Sequence, residues 1–463
     1  MPLKNVSLAV KKSPLNPYQA VAAGFLVLIA IGTVALLLPF ASSGSADTSV
    51  VTALFTVTSA VTMTGLVVVD TGSHWSPAGQ AVIAALIQVG GFGVMSLASL
   101  AGMLLTGRIG LRARLNTRAE NRSLDTGNVG KTLLWTLAIT VICEVLVMLV
   151  VTARFALHYR MSVMRSLGEG IFYAISSFNN AGFALRDDSL VSYVGDAWII
   201  LPIALAFITG GLGYPVVSEI VQQLARNTRL IPYRRRIWHR KMSVTTRVTT
   251  IGTVMLIIAG VTMVALFEWN NALEELPRGS KVLAAFLQGV TPRTAGFNSV
   301  DYGEFHVVTL MGTDILMFIG GGSAGTAGGI KITTVAVLIA AIVAEVRGQK
   351  DTTIGPRTIE PQIVRQALTV GVISASAIVS IIGALRFIEP NIDPDRIVFE
   401  VISAFGTVGL STGITADLTD ASKLILCSLM YLGRIGPVTM AVALARRASD
   451  RRFTYPKERP YIG

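Results

Sequence analysis

Four glycines, Gly65, Gly182, Gly296 and Gly409, follow one another at intervals of 117, 114 and 113 residues. Each comes after a short, moderately apolar stretch (52–62, 170–178, 281–290 and 397–405). Each sits in a polar or acidic setting: TMTGLVVVD, NNAGFALRDD, TPRTAGFNSVD and GTVGLSTGI. The chemistry open to such residues is carried by backbone oxygen. An alkali cation entering a membrane exchanges its water shell for other oxygens, and rings of carbonyls supply them without adding formal charge. Turning successive carbonyls inward needs backbone conformations that glycine adopts readily. The stretches before the glycines, at about ten residues each, reach halfway through a bilayer as helices. Their carbonyl ends would add negative potential at a central cation. Irregular backbone at membrane depth is tolerated where it is buried in protein or lines a water-filled cavity, and four re-entrant loops about one axis make such a cavity. Turns that merely happen to contain glycine would not recur in register.

Holding four loops in this way requires membrane helices on both sides of each. The chain has 463 residues, 52% hydrophobic and 14% charged, with a mean hydropathy of +0.62. A soluble domain carries about 25% charged residues, and a disordered chain is less apolar, so a polytopic membrane protein is expected. Eight stretches are expected to cross the bilayer: 20–40, 81–107, 132–153, 198–221, 248–267, 307–344, 367–385 and 424–445. The first is too long for the apolar core of a signal peptide. The sixth is too long for one plain helix, and its middle, GGGSAGTAGGIK over 320–331, is too glycine-rich to stay helical. Cys143 and Cys427 lie in apolar runs, four histidines are scattered, and no phosphate loop or cofactor fingerprint is present. No enzyme and no cofactor bound by this chain are expected.

The net charge of +12 is distributed by side. Segments 1–20, 106–131, 222–247, 345–366 and 445–463 hold 27 Lys/Arg and 7 Asp/Glu, against 12 and 20 in the remainder. The basic set falls after every second span, which assigns these segments and both termini to the cytoplasm. The run Arg234–Arg236 with His239, Arg240 and Lys241 is accounted for as a juxtamembrane loop, and no nucleic acid is expected. Asp70, Asp187, Asp188 and Asp301 follow the glycine loops, where they either concentrate cations at a mouth or are ordinary surface acids. Arg434 lies mid-span, where a charge is expensive and usually functional. A structural ion pair with Glu144, Glu219 or Asp314 is compatible with that.

Taken together, VTMTGL with IQVGGFGVM, SSFNNAGF with GGLGYPV, TPRTAGFNSVD with GGGSAGTAGGIKITT, and FGTVGLSTG with YLGRIGP resemble the Trk/Ktr/HKT potassium transporter superfamily over essentially the whole chain. The likeness is to its Ktr-type membrane subunit, because the first span leads directly into the first loop. It implies an all-α polytopic fold of four M1–P-loop–M2 repeats around a pseudo-fourfold pore, with eight transmembrane helices and four re-entrant pore helices. The implied boundaries are a cytoplasmic N-terminus at 1–19, repeats at 20–107, 108–224, 225–347 and 348–446, and a basic cytoplasmic tail at 447–463. The implied potassium filter comprises Met63, Thr64, Gly65, Asn180, Ala181, Gly182, Thr294, Ala295, Gly296, Thr407, Val408 and Gly409. Gly406-Thr-Val-Gly409 is close to the core of potassium-channel filters, and glycine at all four positions favours potassium over sodium.

The same resemblance implies a gate beneath the filter made of Gly320, Gly321, Gly322, Ser323, Gly325, Gly328, Gly329 and Lys331, with Arg434 as a pore barrier. Close packing between helices is the alternative for these glycines. Arg293 adjoins the third loop, bonding loop carbonyls or an outer carboxylate. The expected function is potassium uptake across the cytoplasmic membrane. The alternative is a sodium-coupled alternating-access carrier, against which two-span repeats of constant orientation argue. The implied partners are a second copy of the membrane subunit, a cytosolic ring of ATP/ADP-binding regulatory subunits and the bilayer, with sodium a possible activator.

Overall fold

The structure, a computed structural model, describes residues 17–44, 48–93, 96, 129–227, 242–323 and 325–436. The chain is an all-α membrane protein built from one unit used four times: a long helix, a short buried helix, a glycine loop and a second helix. The first unit is α1 (Pro17–Leu37), α2 (Val50–Thr62) and α3 (Pro77–Phe92). The second is α4 (Val129–Leu157), α5 (Val163–Phe178) and α6 (Ala197–Leu212), followed by α7 (Tyr214–Asn227). The third is α8 (Val244–Phe267), α9 (Arg278–Val290) and α10 (Val307–Phe318), with α11 (Ile332–Val346) beyond a break. A small hairpin, β1 (Thr353–Ile354) and β2 (Arg357–Thr358), leads to the fourth: α12 (Pro361–Ile388), α13 (Pro394–Gly406) and α14 (Asp420–Ile435).

Four helices among the described residues are long and apolar enough to cross a membrane alone, and they belong to α1, α4, α8 and α12. They carry exposed leucine, isoleucine, valine and methionine, such as Ile31, Leu146, Met255 and Val379, as surfaces facing lipid must. Two of the other expected spans are interrupted within the described residues. The stretch 198–221 bends by 103° between α6 and α7. The stretch 307–344 is split between α10 and α11, as its glycines require. The far ends of 81–107 and 424–445, the basic loops around 106–128 and 228–241, and the tail 447–463 lie outside the described residues.

The breaks share a backbone form. α3 is capped by Gly93 (φ 91°, ψ 132°), α6 by Gly213 (φ 83°, ψ 152°) and α14 by Gly436 (φ 87°, ψ 140°). In the third unit the corresponding cap is Ile319, and the chain enters 320–331. An acid near the end of the preceding long helix fixes the start of the second helix in two units. Glu268 accepts from the backbone N–H of His306 (3.1 Å), and Glu389 from that of Thr419 (2.9 Å).

The short helices are buried where the long ones are not, and packing between units is cyclic. α3 packs on α5, α6 on α9, α10 on α13, and α14 on α2. The four buried apolar clusters follow the same order. Each joins one unit to the next loop: Phe183 enters the first, Phe297 the second, Val408 the third and Leu66 the fourth.

Candidate functional site

Where the short helices end, the backbone takes the same sequence of conformations four times. The residue two before each key glycine is left-handed: Met63 (φ 56°), Asn180 (57°), Thr294 (70°) and Thr407 (49°). The glycines follow at φ 90°, 70°, 75° and 88°. A β-branched threonine in that region is strained, by about 1–3 kcal/mol, and persists because its surroundings over-determine it. The Thr407 N–H donates to Ala404 O and Ser403 O, as Met63 donates to Ala60 O and Ser59 O. One residue on, Thr64, Ala181 and Val408 donate to carbonyls five residues back, at 2.8, 2.8 and 2.9 Å, closing a helix-terminating motif. The third loop departs: Ala295 donates to Thr291 O, one residue nearer (3.0 Å).

A hydroxyl within or just after each short helix ties down its loop. Ser59 Oγ accepts from Gly65 N (3.0 Å) and Ser403 Oγ from Gly409 N (3.1 Å). Ser176 Oγ donates to Phe183 O (2.7 Å) and Thr291 Oγ1 to Phe297 O (2.6 Å). These hydroxyls precede the glycines by five or six residues, a recurrence legible in the sequence but missed in reading it.

The four loops meet in a closed ring. A Cβ on Gly65 would lie 2.5 Å from Ala181 O, and one on Gly182 would lie 2.8 Å from Gly296 Cα. A Cβ on Gly296 would lie 2.5 Å from Val408 O, and one on Gly409 would lie 2.1 Å from Thr64 O, which returns to the first loop. No side chain fits at any of the four positions without displacing a neighbouring loop. A second set of glycines, also not singled out from sequence, backs the ring. Cβ atoms on Gly90, Gly210 and Gly433 would come within 2.2, 2.0 and 2.0 Å of Val61 O, Phe178 O and Phe405 O.

A cavity of about 570 Å³ lies on one side of the ring, against all four key glycines and Asp70, Asp187, Asp188 and Asp301. These acids also hold the surrounding turns: Asp70 caps Ser73 N (2.7 Å), Asp188 accepts from Ser192 N (2.9 Å), and Asp301 accepts from Gly303 N (2.8 Å). Arg186, in the same wall, lies over the Tyr193 ring at 4.9 Å.

A second cavity of about 360 Å³ is lined by the segment after α10, including Ser323, Gly325, Gly329 and Lys331, together with Asn179 and Arg434. The segment touches the loops directly. Thr326 Oγ1 donates to Asn180 Oδ1 (2.7 Å), and a Cβ on Gly328 would lie 2.0 Å from Thr407 Oγ1. Its backbone leans on α6 through Gly322 N to Gly211 O (2.8 Å) and Thr326 N to Gly210 O (3.1 Å). Gly320 N donates to Ile330 O (2.8 Å) and Ile332 N to Gly321 O (3.1 Å), which close the segment on itself. Ser323 bonds Thr333, and the Lys331 ammonium donates to Ala327 O and Gly328 O. Gly321, Gly322 and Gly325 also make the close approaches to Gly211 and Leu212 carbonyls that a packing motif would make.

Arg434 stands where the first and second units have Gly91 and Gly211, each two residues before the glycine that caps its helix. Two of its bonds go to carbonyls: Nη1 to Thr326 O (2.5 Å) and Nη2 to Gly90 O (2.8 Å). One side chain of the fourth unit thus bridges the first and third. Of the acids considered for an ion pair, Glu144 accepts from Asn179 (3.3 Å) and Glu219 from Ser243 N (2.8 Å). Arg293 is 7% exposed, and its Nε and Nη1 bond neither loop carbonyl nor carboxylate. Among the described residues no cluster of His, Cys, Asp and Glu is arranged to hold a metal ion.

The model of the TrkH family, described as cation transport protein, matches residues 8–455. The chain is 40% identical over 460 residues to the Ktr system potassium uptake protein B of Bacillus subtilis (strain 168), covering 98% of each. It is 34% identical to the potassium/sodium uptake protein NtpJ of Enterococcus hirae, over 97% of this chain and 98% of that one. The crystal structure of the potassium transporter TrkH from Vibrio parahaemolyticus has the same fold, with a TM-score of 0.70 at 19% identity over 95% of this chain and 86% of that one. The chain belongs to the TrkH family of cation transport proteins, a membrane transporter and not an enzyme.

Proposed function

We propose that this protein takes up potassium through a central pore, with the ring around Gly65, Gly182, Gly296 and Gly409 as its selectivity filter. The observation that carries the reading is the closed order of the four glycines, each meeting the next loop's backbone. In such a ring, the carbonyls of Met63, Thr64, Asn180, Ala181, Thr294, Ala295, Thr407 and Val408 replace the water around the ion. The four units are read as M1–P-loop–M2 repeats about a pseudo-fourfold axis, with α2, α5, α9 and α13 as pore helices and eight spans in all. The repeat boundaries are those read from the sequence. The cyclic packing supports this, and repeats of constant orientation favour a pore over alternating access.

The 320–331 segment, with Lys331 and Arg434, is the gate in this reading, since it contacts the underside of two filter loops. The acid-lined cavity faces outward and both termini are cytoplasmic, in accord with the sidedness of basic residues. Assembly with a second copy and with a cytosolic nucleotide-binding ring, and a role for sodium, are part of the proposal; similarity to a Ktr system protein and to a potassium/sodium uptake protein supports them.

Potassium and sodium flux into proteoliposomes tests the core of this. The wild-type protein is expected to prefer potassium, and Gly65→Ser to lose most of that preference while inserting normally. Unchanged preference in Gly65→Ser removes the first loop from the filter.

A further inference from the structure

Behind the fourth loop lies a carboxylate that the filter as described does not use. Glu400, in the middle of α13, is fully buried. Its Oε1 accepts a hydrogen bond from Thr415 Oγ1. The Thr415 and Ser411 hydroxyls are 3.0 Å apart, and Ser411 Oγ accepts from Gly413 N (3.0 Å). The Oε2 atom is buried with no hydrogen-bond partner. Ser411, Gly413 and Thr415 line the outer cavity immediately after Gly409.

Three residues before the loop-tying hydroxyls Ser59, Ser176, Thr291 and Ser403 stand Thr56, Tyr173, Gln288 and Glu400, so the fourth repeat alone has a carboxylate at this position, while Gln288 of the third donates to Val300 O (2.7 Å) beyond its own glycine. A buried carboxyl with an unsatisfied oxygen is costly; the second short helix holds one too, Glu169, but there the carboxylate pairs with Arg165 of its own helix (3.0 Å) and not with the loop beyond the glycine. The fourth loop is therefore gripped twice: at Gly409 N by Ser403, and beyond the filter by Glu400 through Thr415 and Ser411.

We infer that Glu400 is a positioning residue that sets potassium selectivity, by holding the outward half of the fourth filter loop through Thr415 and Ser411. It acts as a hydrogen-bond acceptor behind the loop and does not touch the ion. The inference rests on reading the Gly409 loop as filter.

The test is the potassium-to-sodium flux ratio in proteoliposomes for Glu400→Leu, Glu400→Gln, Thr415→Val and Gly409→Ser. Glu400→Leu and Thr415→Val are each expected to lower the ratio by about tenfold, the scale of one lost hydrogen bond to a buried carboxyl group. Glu400→Gln keeps an acceptor for Thr415 and is expected to stay within about threefold of wild type. Should Glu400→Leu fail to insert, Thr415→Val removes the same bond from the other side. A wild-type ratio in Thr415→Val overturns the inference, as does a loss in Glu400→Gln equal to that in Glu400→Leu. A wild-type ratio in Gly409→Ser instead overturns the filter reading beneath it.

Discussion

The ring of glycine loops and the segment 320–331 lie against each other, yet they are restrained in different ways. Each loop is tied to its own short helix by capping bonds and by a hydroxyl five or six residues before its glycine. The segment closes on itself through backbone bonds, the Ser323–Thr333 contact and the Lys331 ammonium. It is also held by side chains and carbonyls of other units: Gly210 and Gly211 from the second, Asn180 from the second loop, and Arg434 from the fourth. Locally restrained loops hold their shape whatever the units do relative to one another. A segment held from several units responds when they shift, because a few hydrogen bonds of about 1 kcal/mol each separate its arrangements. That contrast fits a fixed filter over a movable gate.

The sharpest way to break the comparison is to intrude on the ring. Gly409→Ala places a methyl group 2.1 Å from Thr64 O at a φ of 88°, so the first loop must move. Potassium flux in proteoliposomes is expected to fall by about ten- to a hundredfold, the equivalent of roughly 1–3 kcal/mol of backbone strain. Flux within twofold of wild type would mean that the ring yields easily and is no more fixed than the segment below it.

Next in size is the bridge made by the fourth unit. Arg434→Ala removes the bonds to Thr326 O and Gly90 O together with a positive charge beside the cavity. Flux is expected to rise by about tenfold, as for loss of one or two bonds to a charged group, with expression and monodispersity unchanged. A fall in flux in a well-folded variant would show that the arginine supports the open pore and does not obstruct it.

The smallest effect is expected from a single tether. Ser59→Ala leaves Gly65 N–H without its acceptor but keeps the Thr64 N to Ser59 O bond. A loss of about 1 kcal/mol in stability is expected, read as a few degrees in the thermal transition in detergent, with selectivity reduced by about threefold. A larger loss of potassium flux than in Gly409→Ala would reverse the ranking of tether and ring.

Much of this arrangement is legible in the residues. The spacing of 117, 114 and 113 marks the four loops, and each is built at the position that spacing indicates. The glycines at 320–329 foretell a break, and one occurs there. The hydroxyls at Ser59, Ser176, Thr291 and Ser403 recur nearly in register and could have been found by the same alignment of repeats. The bend within 198–221 is not legible in hydropathy, which counts apolar residues and does not register the positive φ at Gly213, where the chain turns by 103°. A mid-span charge such as Arg434 stands out in the sequence as costly to bury, but that two bonds of its guanidinium go to carbonyls of the first and third units is visible only in the structure.

The amino-acid sequence by itself determined the membrane character, the alternation of basic and acidic connections, the recurrence of one pattern four times and the positions of the four key glycines. These are properties of composition and of separations along the chain, and they need no partner in space. The tertiary structure alone decided which loop follows which around the ring, that Thr326 reaches Asn180, and that Arg434 spans from Thr326 to Gly90. Those contacts join residues separated by 146, 108 and 344 positions. A donor at such a distance meets whichever acceptor the packing of whole repeats brings within about 3 Å, and no local pattern encodes that meeting.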